Sequence, residues 1–319
     1  MFFIVLSHFS LYGNWYGTND FSSLETVRTL LFNPLGAAAA VCFFIITGYF
    51  SVKKESFKSK EKKSISKFVN VWTQTFFYSS IIGIILFFTK KVGLVSLLKS
   101  FLPLTLSEYW FVTCYLLLMI FSPYLDLIGD KLSNRSFLRL LIILSLLQIP
   151  ALLKNAIVNQ FFLALLGYFS GKYIYLNKEK FEKIRKRFLC SLLIIIYLID
   201  LLSIFVMRSI GVQFQRSGHF TGYLLAFCFA VCMFLLAINT KAFSNRLINE
   251  VAKSVFGVYL ITEQSGFRDI LWGKILNVGQ FQSSFLFPLQ GIIVTFLVYI
   301  GCISIDFVRR KIFKFIKLG

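Results

Sequence analysis

Among the residues of this chain that can do acid–base chemistry from within an apolar environment, three short stretches stand out. The first is Phe3-Ile-Val-Leu-Ser-His8-Phe-Ser-Leu-Tyr, where one of only two histidines sits inside an otherwise apolar run. An ionisable group in such a run marks a functional position, and a histidine can take a proton from a hydroxyl near neutral pH. The alternative for His8 is a polar residue bonded to a neighbouring helix or lying at the headgroup level. The second stretch is Ser107-Glu-Tyr-Trp-Phe-Val-Thr-Cys-Tyr. Here Tyr109 and Trp110 suit an interfacial aromatic belt, and Glu108 is either an acceptor for a substrate hydroxyl or a solvated carboxylate. The third runs from Ser254 to Trp272. Thr262, Glu263 and Gln264 interrupt its apolar pattern, and Arg268 follows five residues after the glutamate. Such a break lines a cavity, or else Glu263 and Arg268 form a structural pair at the membrane boundary. His219, in Gln213-Phe-Gln-Arg-Ser-Gly-His-Phe, reads as a solvated loop histidine.

The elements that must hold these residues follow from composition. The chain has 319 residues, 57% of them hydrophobic and 39 of them Phe, with a mean hydropathy of +0.75. A water-soluble domain of this length cannot hide so much apolar surface, so lipid is the solvent. The net charge of +20 would point to nucleic acid in a soluble protein. Here the cations lie in the loops between apolar runs, which points to membrane topology and anionic lipid and excludes a nucleic-acid partner. All six cysteines fall in or beside apolar runs without a Cys-x-x-Cys pair. They read as small buried residues, with neither a metal site nor a disulfide framework.

A helix needs roughly 20 apolar residues to cross a bilayer, and its backbone must be satisfied internally. Spans are expected at about 1–13, 34–52, 68–89, 108–128, 137–153, 157–176, 188–207, 220–240, 251–265 and 285–307. The fifth and sixth are joined by a tight turn near Lys154-Asn155, and Pro123 is expected to end the fourth. Placing the loop after the second span in the cytoplasm puts 25 of the 34 Lys and Arg on that side and nine on the other. That choice makes the C-terminus cytoplasmic. Small residues let helices approach closely in lipid, so Gly36–Ala40 and Thr47-Gly48 read as packing faces. The fold class expected is therefore all-α, a polytopic integral membrane protein of about ten transmembrane helices, with residues 1–319 forming a single domain. The opening Met1-Phe-Phe-Ile-Val-Leu lacks the basic start of a cleavable signal peptide.

In this order and topology the pieces resemble the acyltransferase-3 family of polytopic membrane O-acyltransferases. Its members have about ten spans and a His near the outer end of the first helix, the position of His8. Phe43-Phe-Ile-Ile-Thr-Gly-Tyr49 is similar to the family's Phe-Phe-(Ile/Val)-(Ile/Leu)-Ser-Gly-(Tyr/Phe), with Thr47 in place of Ser. Trp110-Phe111, Tyr115-Leu116 and Ser122-Pro123 resemble its fourth-helix pattern. Phe256-Gly-Val-Tyr-Leu-Ile-Thr-Glu-Gln, with Arg268 and Trp272 beyond it, resembles the ninth-helix form of Gram-positive polysaccharide acetyltransferases. Two departures stand out. The family's Arg eleven residues before the His would fall before Met1, so the chain is expected to lack the start of its first helix. The ninth-helix His is Thr262 here, and a proton role at that position is lost.

The resemblance implies an O-acetyltransferase of the cell membrane, multi-pass and bacterial. It would move an acetyl or other acyl group from cytoplasmic acyl-CoA, used as a co-substrate with no permanently bound cofactor, to a hydroxyl of a polysaccharide or lipid-linked glycan. His8 is the expected general base. Tyr259, Glu263 and Arg268 are expected to line its cavity, and Tyr109 and Trp110 to offer an aromatic platform for a sugar ring. The rival readings are a transporter or flippase for lipid-linked glycans, a polysaccharide polymerase, and an inactive member of the family.

Overall fold

In a computed structural model that describes residues 1–52, 55–104, 108–149, 156–218 and 223–315, the chain is helical, with no strand among those residues. Ten helices carry the architecture. They are α1 (Phe2–Leu11), α2 (Asn33–Tyr49), α3 (Phe57–Phe88), α4 (Trp110–Lys131), α5 (Asn134–Leu146), α6 (Ala156–Leu176), α7 (Lys186–Ser209), α8 (Leu224–Ile238), α9 (Val255–Glu263) and α10 (Phe287–Phe315). Each expected span overlaps one of them. By length and hydropathy, α3, α4, α7 and α10 can each cross a membrane alone, and a bent pair formed by Ser23–Thr29 and α2 would make a fifth span. The turn expected at Lys154-Asn155 and the loop residue His219 lie outside the described residues.

Two boundaries differ from expectation, each for a local reason. Helix α3 starts eleven residues before the apolar run, because Ser56 caps it through an acceptor bond from the Ser59 amide and the lysine-rich turns that follow are compatible with helix. Helix α4 runs through Pro123 to Lys131 instead of ending there. Proline removes the amide that would bond to the carbonyl four residues earlier, that of Met119. The hydroxyls of Ser122, at 2.9 Å, and Ser64 both donate to that carbonyl, so the helix continues without an orphaned acceptor.

Close packing centres on α2 and α6. A Cβ at Gly48 would overlap the carbonyl of Tyr168, and one at Gly171 would overlap that of Ile45. Ala38, Ala39 and Ala40 are buried, and Gly36 meets Ser7 of α1, so the small-residue stretch is a packing face. Of the cysteines, Cys114, Cys232 and Cys302 are buried, while Cys190 faces outward on α7, contrary to the expectation that all six are buried. It lies on a face with Ile194 and Leu198, which are also exposed, and in lipid a thiol is as acceptable there as an aliphatic side chain.

Candidate active site

His8 is held by the fit of α1 into the bundle. Val5 and Phe9 on either side of it are fully buried, which fixes the helix and aims the imidazole, itself 4% exposed, toward the end of α9. Helix α9 stops at Glu263. Gln264 takes an extended conformation, and its side chain accepts a bond from the Phe267 amide at 2.7 Å, which restarts the chain as the short helix Ser265–Ile270. Glu108, just ahead of α4, accepts from the Ser265 amide at 2.8 Å. Polar residues that look out of place in an apolar helix are thus what breaks it, and the break delivers Glu263 to His8.

The imidazole Nε2 lies 2.8 Å from Glu263 Oε2, with each side chain 5% exposed. The other carboxylate oxygen, Oε1, is 3.4 Å from the Tyr12 hydroxyl and 3.6 Å from Arg268. Arg268 in turn donates to the Tyr12 hydroxyl at 3.3 Å and lies 4.4 Å from the centre of its ring. His8, Glu263, Tyr12 and Arg268 therefore form one cluster drawn from three helices. Among the described residues, His8 Nδ1, the buried Tyr259 hydroxyl, Glu263 Oε2 and Arg268 Nε find no hydrogen-bond partner, so the 2.8 Å approach of His8 to Glu263 is an ionic contact. Thr262, where the family pattern has His, turns its hydroxyl back to the Val258 carbonyl at 3.0 Å and takes no part.

This cluster lines a cavity of about 770 Å³, within the usual size range of small-molecule sites. Asp200 of α7 and Asn33 of α2 bring polar atoms to its wall, as do Gln160 of α6 and Tyr223 beside α8. Of the residues expected from sequence, His8, Trp110, Tyr259, Glu263 and Arg268 line it together. Tyr109 does not. It is fully buried behind the wall and donates its hydroxyl to the Leu260 carbonyl at 3.2 Å, so it braces α9. Trp110 reaches the cavity with its ring roughly parallel to that of Tyr223, centroids 6.3 Å apart. Tyr12, Asp200, Asn33 and Gln160 escaped the sequence reading. Two of them carried a signal: Tyr12 stands one helical turn from His8 and shares its face, and Asp200 is an ionisable group inside an apolar run.

At the other end of α4, a second cavity of about 560 Å³ is bounded by Thr47, Lys60, Lys63, Lys67, Tyr115 and Asp126, among others. Its wall is tied by Lys172, a fully buried cation on α6 that reaches Asp126 Oδ1 at 3.2 Å and Asp130 at 2.8 Å. Lys60 reaches Asp126 Oδ2 at 2.8 Å. The two cavities come within one turn of each other along α4. Phe111 lines the first and Tyr115 the second, and their rings stack 5.7 Å apart at 16°, with Phe44 packed against both.

An all-helical, lipid-suited chain with a sequestered histidine–carboxylate pair beside a polar cavity belongs to the class of membrane proteins with a buried polar site. The family is narrower than the class. The model of the acyltransferase domain of the acyltransferase-3 family matches residues 1–307, and the chain belongs to that family, a family of membrane acyltransferases. No curated protein and no solved structure matches it.

Proposed function

We propose that the protein is an O-acetyltransferase of the bacterial plasma membrane, with ten crossings and a cytoplasmic C-terminus. It transfers an acetyl group from cytoplasmic acyl-CoA to a hydroxyl of a cell-surface or exported polysaccharide. The observation that carries this reading is the His8–Glu263 pair in the wall of the polar cavity. A carboxylate 2.8 Å from Nε2 favours the tautomer with its hydrogen on that nitrogen, which leaves the Nδ1 lone pair as the basic atom. His8 Nδ1 takes the proton of the acceptor hydroxyl as its oxygen attacks the thioester carbonyl. The tetrahedral intermediate collapses, the carbon–sulfur bond breaks, and the proton returns from His8 to the departing thiolate to give the free thiol. Glu263 stabilises the imidazolium in between, and Arg268 and Tyr12 hold Glu263 in place. The unpartnered Tyr259 hydroxyl supplies a donor for the developing oxyanion.

The second cavity supports the same reading from the donor side. Lys60, Lys63 and Lys67 follow one face of α3; Lys60 is paired with Asp126 and Lys63 with Glu55, and an anionic, phosphate-bearing donor would draw on Lys67 and compete for the other two. Its pantetheine arm would pass the Phe111–Tyr115 partition to bring the thioester to His8. The test is the O-acetyl content of surface glycans in a strain lacking the gene, complemented with the intact chain, His8→Ala or Glu263→Gln, each quantified in the membrane. Acetate returning with the intact chain and not with His8→Ala supports the reading. Equal restoration by His8→Ala removes His8 as the base.

A further inference from the structure

A third cavity, of about 650 Å³, has no place in the reaction so far. It is a slot between two helix pairs, α5 on α6 and α7 on α8, and its lining is almost wholly hydrocarbon. Its floor is buried: Ile174 is 2% exposed, Cys232 5% and Ile196 8%. Along α5 it extends at least from Leu138 to Leu146, which at the helical rise is roughly 12 Å.

The slot leads to the active-site cavity. On α7, Leu192, Ile196 and Asp200 are spaced by four residues and share one face. The first two line the slot and the third lines the polar cavity. At the start of α8, Leu224 and Cys228 face the slot while Tyr223 and Ala226 face the cavity. A ligand filling both would need an apolar chain continuous with a hydroxyl-bearing polar head. A free polysaccharide offers nothing to a hydrocarbon slot. A glycan attached to a long lipid chain fits both parts.

We infer that the acceptor is a lipid-linked glycan whose hydrocarbon chain lies in the slot between α5 and α7 while its sugar hydroxyl sits at His8. The inference rests on reading the polar cavity as the acceptor site. Burying the chain against Ile196, Val231 and Ile174 supplies binding energy remote from the reacting hydroxyl, which fixes the head in the cavity.

The test uses the full chain in phosphatidylcholine nanodiscs with farnesyl-phosphate-linked glucose that carries a diazirine in its tail. After irradiation, labelled peptides are expected from 138–149 and 192–232. Excess unlabelled probe should suppress the label, and His8→Ala should leave it in place. Val231→Trp and, on the opposite wall, Ser145→Trp fill the slot, each checked for folding by its elution and melting profile. Each should cut the labelling and raise the ratio of KM for the farnesyl-linked sugar to KM for a water-soluble glucoside at least tenfold. Label spread evenly over α10 and the other lipid-facing helices overturns the inference. So does slot label that excess probe does not suppress, which marks ordinary membrane lipid, or a slot closed by a second copy of the chain. Competed slot labelling without acetyl transfer to either sugar would leave the slot assignment standing and remove the acetyltransferase reading. Transfer to both sugars with no response to slot filling would do the reverse.

Discussion

The two ends of α4 each hold a buried carboxylate beside a cation, yet they are built to opposite rules. At one end Asp126 is saturated. Its Oδ1 accepts from Ser51 at 2.8 Å and Tyr168 at 2.7 Å in addition to Lys172, while its Oδ2 takes Lys60. At the other end Glu263 makes longer contacts with Tyr12 and Arg268, its histidine partner keeps a bare nitrogen, and a bare tyrosine hydroxyl lies in the wall of the same cavity. Buried polar groups are ordinarily paired, and an unpaired one calls for an explanation. The Asp126 cluster spends its hydrogen-bonding capacity on joining α2, α3, α4 and α6. The His8 cluster withholds part of its capacity, and what it withholds is available to a substrate.

The contrast can be broken by mutation at either end. Asp126→Ala would remove the acceptor shared by Ser51, Tyr168 and Lys60, leaving Lys172 to Asp130 and a backbone carbonyl, and should cost about 1–3 kcal/mol, read as loss of folded protein from the membrane and a lowered melting temperature. His8→Ala should do the reverse, lowering acetyl transfer by roughly 10²–10⁴-fold, the usual worth of a general base, while the melting temperature stays close to that of the intact chain. A large loss of stability in His8→Ala would mean that both ends are structural clamps. Gly48→Leu tests the scaffold between them. With the Tyr168 carbonyl where its side chain must go, overpacking should cost about 1–3 kcal/mol or more, seen as a lower melting temperature and slower transfer together. Tyr259→Phe is a sharper probe of withheld capacity. It removes a buried hydroxyl that has no partner, so stability should hold or rise slightly, and only the rate should fall.

The smallest effect is expected at an exposed carboxylate. Ser22 and Glu25 form a capping box at the start of Ser23–Thr29. The Glu25 side chain accepts from the Ser22 amide at 2.9 Å, and that bond, the first cause, holds its pKa below the ordinary 4.5. A depressed pKa means that the cap's contribution is present above about 4.5 and fades as the pH falls through the folded value. Hydrogen exchange at the Ser22 amide, corrected for its intrinsic pH dependence, should lose protection on acidification in the intact chain. It should not do so in Glu25→Gln, where the amide oxygen still accepts.

Each apolar run expected from hydropathy overlaps one of the ten helices, but only α3, α4, α7 and α10 are long and apolar enough to cross a membrane alone, with α2 and its bent partner making a fifth span. Ends were harder to read. The charged first turns of α3 belong to the same helix as its apolar part, and the continuation of α4 past Pro123 depends on a serine from α3 that is distant in sequence. His8 and Glu263 each stood out as polar residues in apolar runs, but their pairing spans more than 250 residues and comes from the packing of α1 beside α9. Tyr109 and Trp110 show the limit most clearly. Both are aromatic residues at the head of one helix, Tyr109 as its non-helical cap and Trp110 as its first residue, and only Trp110 reaches the cavity. Which one reaches the cavity depends on the rotation of α4 relative to α9, and no local pattern encodes that rotation.

The stack of Phe111 on Tyr115 has an electrical consequence. Under the proposed topology the two polar cavities would enter from opposite faces of the membrane and bring the aqueous phases to within a single helical turn, and most of the transmembrane voltage would drop across that turn. Moving one elementary charge through it releases or costs about 2.3 kcal/mol per 100 mV. A thioester arm carries no net charge and passes without regard to the field, whereas a hydronium or sodium ion would be driven through any gap. Under the function proposed above, the stacked rings, closed by Phe44, would serve as insulation that lets group transfer proceed across an energised bilayer without short-circuiting it.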